Sequence, residues 1–85
     1  MSIEELRAAI GEAETLIAQG LAILQAAPEP IESAVACLGV LLESSVRLEA
    51  DAAQGSLVEA AEQLVAARQA AKTALEAAEL FKAVL

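Results

Sequence analysis

The chain has 85 residues, a formal net charge of −8 and no histidine, a length that fits one small domain. The acidity argues against nucleic-acid binding and against attraction to an anionic membrane surface, because both depend on clustered lysine and arginine. The hydrophobic fraction of 58% is high, but 22 of those residues are alanines, which favour helix formation more than they build a large core.

The first predicted element is a helix over residues 2–27. Ser2-Ile3-Glu4-Glu5 matches the capping box, in which the serine hydroxyl and the glutamate satisfy free backbone donors at a helix start. Apolar or small residues then alternate at spacings of three and four, which is typical of an amphipathic or coiled-coil helix. That stripe consists of Ile3, Leu6, Ile10, Ala13, Ile17, Gly20, Leu24 and Ala27.

The second predicted helix covers residues 30–53. Pro28 and Pro30 end the first helix, since proline disfavours helical angles in the residue before it. Pro30 is expected to be the first residue of the second helix, where a missing N–H breaks no bond. The apolar face comprises Ile31, Ala34, Val35, Leu38, Leu41, Leu42, Val46 and Leu48, with Ser45 and Glu49 interrupting its lower end.

The third predicted helix covers residues 56–84. Gly55 suits the left-handed position after a helix, and Ser56-Leu57-Val58-Glu59 forms a second capping box. The alternative is one continuous helix over 30–84, with Gly55 tolerated in its interior. The predicted stripe again has three-four spacing and is rich in alanine: Leu57, Ala60, Leu64, Ala67, Ala71, Ala74, Ala78, Phe81 and Leu85.

Short connections between helices of similar length make sequential helices antiparallel neighbours. The expected fold is therefore all-α, a three-helix up-down-up antiparallel bundle over residues 1–85, with coiled-coil-like packing along alanine-rich stripes. No uninterrupted apolar stretch is long enough to cross a bilayer, so we expect no membrane span.

Several large apolar residues fall off the predicted stripes, and a domain this small gains little stability from its own core. Together they predict self-association, with a C₂ dimer favoured and another helical protein as a possible partner. The hypothetical oligomer interface contains Cys37, Val40, Val58, Val65, Leu80 and Val84.

Catalytic chemistry is not expected. No histidine is present to act as a general base, and one cysteine supports neither an internal disulfide nor a metal cluster. Cys37 is interpreted as a packing residue, with an intersubunit contact as the alternative. We predict no catalytic, cofactor-binding or metal-binding residue, and we interpret Glu12, Glu59, Glu62, Glu76 and Glu79 as solvent-facing.

Two further groups of residues invite a structural explanation. Glu49 and Arg68 approach the apolar stripes, either as an ion pair across an oligomer interface or with their charges extended to the rim. Glycines inside helices lower stability relative to alanine. Close helix–helix approach would explain Gly20, and contact with another chain would explain Gly11 and Gly39.

The opening MSIEEL, the Gly55-Ser56 break and the run LVEAAEQLVAARQAAKTALEAAEL resemble the short alanine-rich helical proteins of high-GC bacteria, many of which have no assigned function. In size and acidity the chain also looks like the secreted helical hairpins of the WXG-100 type. Ala27-Pro28-Glu29-Pro30 stands here in place of their Trp-x-Gly turn.

The leading functional hypothesis is a non-enzymatic, self-associating interaction module. We expect it in the cytoplasm, because the N-terminus is acidic, whereas a secretory signal begins with basic and then apolar residues. One alternative is a secreted effector of the WXG-100 type. Another is a carrier of small apolar ligands or lipids, with a cavity lined by Leu16, Leu21, Ile23, Leu38 and Leu42.

Overall fold

The computed structural model of the chain describes residues 1–44 and 48–85, without the side chains of Leu41, Leu42 and Ser44. It contains α1 (Ile3–Ala26), α2 (Pro28–Ser44) and α3 (Leu48–Ala83). Within those described ranges there is no strand, so the all-α prediction is confirmed.

Helix α1 begins as the capping box predicts. The backbone N–H of Glu5 donates to Ser2 Oγ at 3.1 Å, and the N–H of Leu6 donates to the Ser2 carbonyl at 2.9 Å. Ser2 therefore satisfies one of the free donors in the first turn, which is the stabilising role of an N-cap residue.

The interruption at the two prolines is shorter than predicted. Ala27 alone lies between α1 and α2, and Ile3–Val40 can be followed as one helix. Pro28, not Pro30, is the first residue of α2. Both prolines lie in its first turn, where backbone N–H groups have no intrahelical acceptor, so neither removes a helical hydrogen bond.

The predicted break at Gly55 is wrong, because α3 runs through it without interruption from Leu48 to Ala83. None of the described residues, glycine or other, has a positive φ, so Gly55 does not adopt the left-handed conformation of a helix end. The alternative of a helix continuous through Gly55 is correct there. Its part over residues 45–47 lies outside the described residues.

The chain forms two compact units, each containing part of α3. The terminal unit comprises Met1–Gln25 and Ala67–Leu85, and the central unit comprises Ala26–Ala66. The terminal unit thus pairs α1 with the second half of α3, and the central unit pairs α2 with the first half. A three-helix up-down-up bundle is not confirmed.

The seam of α3, meaning the row of half-buried residues that faces the neighbouring helix, differs from the predicted stripe. Ala67, Ala74 and Phe81 are exposed, whereas Leu75 and Arg68 are half-buried. The seam is rotated by roughly 50° from the prediction, at 100° per residue. Shielding Leu75 in place of Ala74 removes more apolar area from water. Five predicted residues of α3 do lie in the seam, namely Leu57, Ala60, Leu64, Ala71 and Ala78, and the predicted Leu85, just after the helix, is also half-buried. The observed seam contains Ala50, Gln54, Leu57, Ala60, Ala61, Leu64, Arg68, Ala71, Leu75 and Ala78.

The predicted stripes of the other two helices are largely confirmed. On α1 the half-buried or buried members are Leu6, Ile10, Ile17, Gly20 and Leu24, while Ile3 and Ala13 are exposed. On α2 the half-buried members are Ile31, Ala34, Val35 and Leu38. Leu48 is wrongly placed in the stripe, because it is exposed at the start of α3. The predictions for Leu41, Leu42, Ser45 and Val46 lie outside the described residues or side chains.

A side-chain hydrogen bond joins the helices of the central unit. Gln54 Nε2 donates to the carbonyl of Val35 at 3.2 Å. Gly39 makes room for this amide, because a Cβ at that position would lie 3.4 Å from Gln54 Nε2. Gly39 thus lies at a contact inside the unit, and its contact with another chain stays a prediction.

An ion pair plays a similar part in the terminal unit. Lys82 Nζ lies 3.3 Å from Glu14 Oε1, which is shielded from solvent and accepts no hydrogen bond among the described residues. The contact is therefore one between charges without hydrogen-bond geometry. Lys82 crosses α1 beside Gly11, where a Cβ would lie 3.6 Å from its Nζ, so Gly11 also serves an internal contact.

We predict that Gly55→Ala stabilises the protein by about 0.5–1 kcal/mol, since alanine loses less backbone entropy in a helix. A Cβ at this position meets nothing within 4 Å. Urea unfolding followed by circular dichroism at fixed protein concentration measures the change. Ala52→Gly, at an exposed position of the same helix, is the control and should lower stability by a similar amount. A loss of stability in Gly55→Ala would show that Gly55 ends a helix.

We predict that Lys82→Met lowers the free energy of unfolding more than Glu14→Gln does. Lys82→Met leaves a shielded carboxylate oxygen of Glu14 without its cation and should cost about 1 kcal/mol. Glu14→Gln removes the negative charge together with its desolvation cost, so it should cost less than about 0.5 kcal/mol. Thermal unfolding of both variants provides the comparison. Lys72→Met, at an exposed lysine of the same helix, controls for the lost charge, and equal effects of the two lysine variants would contradict the assignment.

Candidate association surface

The described part of the chain shields few large apolar side chains. Ile10, at 8% exposure, is the one buried hydrophobic residue among those described. Many others lie open to solvent, and they must be accounted for because contiguous exposed apolar surface marks interaction sites. The exposed large hydrophobic residues are Met1, Ile3, Leu16, Ile23, Val40, Leu48, Val58, Val65, Leu80, Phe81 and Val84.

On α1, two rows of apolar residues run beside the seam. Residues seven apart in a helix differ in angle by only about 20°, so each row keeps to one side. Leu16 and Ile23 are the large members, at 61% and 71% exposure. The row next to the seam contains Leu6, Ala13 and Gly20, and the outer row contains Ala9, Leu16 and Ile23.

The second half of α3 carries two matching rows. Phe81, at 49% exposure, is the largest residue in them, and most of the others are alanines. The row next to the seam contains Ala67, Ala74 and Phe81, and the outer row contains Ala70, Ala77 and Val84.

These rows lie on the same side of the terminal unit. Lys82, near the end of α3, packs beside Gly11 and Glu14 of α1. With Ala67–Leu85 paired to Met1–Gln25, that contact requires antiparallel helices. Two antiparallel helices are related by a local two-fold axis perpendicular to the plane that contains them. Residues displaced from the seam in the same rotational direction on each helix therefore lie on the same side of the pair. We call the exposed members together the apolar flank: Ala9, Ala13, Leu16 and Ile23 of α1, Ala67, Ala70, Ala74, Ala77 and Phe81 of α3, and Val84 in the turn that follows α3.

The chemical character of the terminal unit differs sharply between its two sides. The rows that form the apolar flank contain no charged or polar side chain along their whole length. The remaining exposed positions are largely charged or polar, among them Glu4, Glu5, Glu12, Thr15, Gln19, Gln69, Lys72, Thr73, Glu76 and Glu79. A surface with this separation is suited to pack against another apolar surface on one side while staying hydrated on the other.

The six residues of the predicted interface are all exposed, but the structure does not bring them together on one face. Val58 and Val65 share a row in the central unit, on the side of the α3 seam opposite its alanine row, and Val40 lies on the outer side of α2. Leu80 lies nearly opposite the seam. Of the six, Val84 alone belongs to the apolar flank.

Sequence reasoning missed Leu16, Ile23 and Phe81 as residues of one surface, for different reasons in the two helices. Phe81 was expected in the seam of α3, and Leu16 and Ile23 were expected to line a ligand cavity. The signal in the sequence is the seven-residue recurrence of apolar residues beside the stripe, which gives each helix a broader apolar sector than one neighbour can cover.

The remaining candidate residues are placed as follows. Leu21 and Leu38 are half-buried, whereas the side chain of Leu42 is outside the described set. Arg68 is half-buried on the seam of α3, and Glu49 is exposed at the other end of that helix. A Cβ at Gly20 would meet nothing within 4 Å, so no close helix approach inside the chain explains that glycine. The glutamates interpreted as solvent-facing are exposed: Glu12, Glu59, Glu62, Glu76 and Glu79.

Sites for small ligands are not visible in the described residues. They contain no cluster of three or more carboxylate or cysteine side chains able to hold a metal ion, and no pocket was found among them. The fold thus offers surfaces rather than cavities for study.

By length and composition alone, Ile3–Val40 includes a window that could cross a membrane, and none of that window is buried. Sequence reasoning did not find it because it considered only uninterrupted apolar stretches. Buried core helices of soluble proteins and signal sequences near an N-terminus pass the same test, so one such helix does not assign a membrane location. Ionised glutamates such as Glu29 and Glu32 would each cost a few kcal/mol inside a bilayer.

Comparison with known proteins gives no relative to draw on. No protein-family model, curated protein or solved structure matches this chain.

Proposed function

We propose that this protein is a non-enzymatic helical interaction module that works by self-association, with two copies as the basic assembly. In this role it serves as an adaptor, a regulator or an assembly component in the cytoplasm, without a cofactor. Packing between copies is coiled-coil-like and uses small alanine side chains, which let helices approach closely.

The observation that carries this proposal is the amount of surface that the single chain exposes. A compact monomer of 8.7 kDa has about 4,700 Å² of accessible surface, whereas this chain exposes 6065 Å². The excess of about 1,300 Å² is larger than the roughly 800 Å² that each partner buries in a standard interface. A standard interface with one further copy of the chain covers about 800 Å² of it.

The charge distribution supports a water-soluble assembly that does not bind nucleic acid. With 13 acidic and 5 basic residues, the polar surface repels phosphate, and phosphate contacts dominate nucleic-acid affinity. The same charge keeps assembled particles apart in solution. The charged side chains thus limit association to the apolar surface.

We predict that the protein sediments as a species of twice 8.7 kDa at micromolar concentration, and that its unfolding temperature rises with protein concentration, because mass action stabilises an associated native state. Analytical ultracentrifugation and circular dichroism measure the two effects. The proposal fails if the mass stays at 8.7 kDa up to several hundred micromolar while the helical signal is intact. A lipid or apolar ligand that co-purifies in native mass spectrometry would favour the carrier alternative.

A further inference from the structure

The apolar flank contains large and small residues in complementary places. Because Lys82 lies beside Gly11 and Glu14 and the helices are antiparallel, Phe81 is level with the early part of α1 and Ala70 is level with Ile23. Large residues of each helix therefore lie level with small residues of the other. Leu16 and Ile23 are level with the alanines of α3, and Phe81 and Val84 are level with Ala9 and Ala13.

This arrangement is self-complementary under one kind of two-fold symmetry. If the two-fold axis of the dimer runs parallel to the helices, α1 of one copy packs on α3 of the other. The two copies are then not shifted relative to each other along the helix direction. Each large residue then meets a small one, as knobs meet holes in a coiled coil. An isologous dimer requires a surface that fits itself in this way.

We propose that the apolar flank of the terminal unit is the dimer interface, and that two copies pack there as a four-helix arrangement with α1 of each against α3 of its partner. Leu16 and Ile23 lie on the partner's Ala77 and Ala70, and Phe81 lies on the partner's Ala13. The proposal rests on the proposed self-association and adds the surface and the pairing.

Two observations favour a second copy as the occupant of this flank. The excess exposed area of the whole chain exceeds the roughly 800 Å² that each partner buries in a standard interface, and the large and small residues needed on both partners are present on the one surface. Gly20 fits the same explanation, because it lies in the row beside the seam and a Cβ at that position would meet nothing within 4 Å among the described residues. A partner helix can come close there.

Ala74→Glu tests the surface, with Ala22→Glu as its matched control. Both alanines are exposed within a helix, and neither has a charged residue three or four positions away. Ala74 lies in the apolar flank, whereas Ala22 lies outside it. We expect Ala74→Glu to raise the dimer dissociation constant at least about tenfold, because each copy would bury an unpaired carboxylate, while Ala22→Glu stays within about twofold of wild type.

Sedimentation equilibrium gives the dissociation constants, and circular dichroism checks that each variant remains helical. Equal dissociation constants for the two glutamate variants overturn the proposed surface. Val65→Glu probes the other exposed row, in the central unit. If it dissociates a dimer that Ala74→Glu leaves intact, the flank is wrong although self-association stands. A monomeric wild type overturns both proposals.

Cysteine cross-linking tests the pairing without relying on a disruptive variant. In a Cys37→Ser background, an Ile23→Cys chain is mixed with an Ala70→Cys chain and oxidised with a mild oxidant. Two thiols lose two electrons and two protons to the oxidant and form an intermolecular disulfide. We expect efficient heterodimer formation from this mixture, and little from Ala22→Cys mixed with Ala70→Cys. Equal yields from the two mixtures overturn the proposed pairing.

Discussion

A helix packed against a single neighbour shields one stripe of its surface, and α3 carries more apolar surface than one stripe can cover. Its seam buries Leu64, Leu75 and the alanines between them only in part, while a second alanine row that ends in Phe81 stays exposed. The terminal unit repeats the problem on α1, where Leu16 and Ile23 lie beside the seam. The rest of the structure follows from this surplus: a thin interior, a one-sided surface and a large accessible area.

The contacts that fix the helices relative to their neighbours within each unit are polar and sit on the same seams. Gln54 reaches the carbonyl of Val35 beside Gly39, and Lys82 reaches Glu14 beside Gly11. In each case a glycine on one helix lets a long side chain from the other cross it. Such contacts add little energy near the surface, but each requires a particular register. Alanine-rich stripes alone specify register weakly because their side chains are small and alike.

The angle of α3 satisfies apolar and polar contacts together. The stripe that the periodicity of the sequence favours includes Ala67, Ala74 and Phe81, which are exposed. The observed angle shields Leu75 and places Lys82 and Gln54 against their partners. The most regular apolar row therefore stays on the surface.

The sequence by itself determined the helical class, the cap at Ser2 and most of the shielded residues of α1 and α2, because capping boxes and three-four periodicity are local properties. It also determined that no single apolar stripe accounts for all the large hydrophobic residues. The tertiary structure decided that Gly55 lies inside α3, that only Ala27 lies between α1 and α2, and which of two overlapping stripes faces the neighbour. A glycine or a proline permits a break in a helix without requiring one. Sequence periodicity leaves several apolar stripes nearly equally suited to face a neighbour, and tertiary packing selects the one that is shielded. Leu16, Ile23 and Phe81 could therefore be placed on a common surface only once the partner of each helix was known.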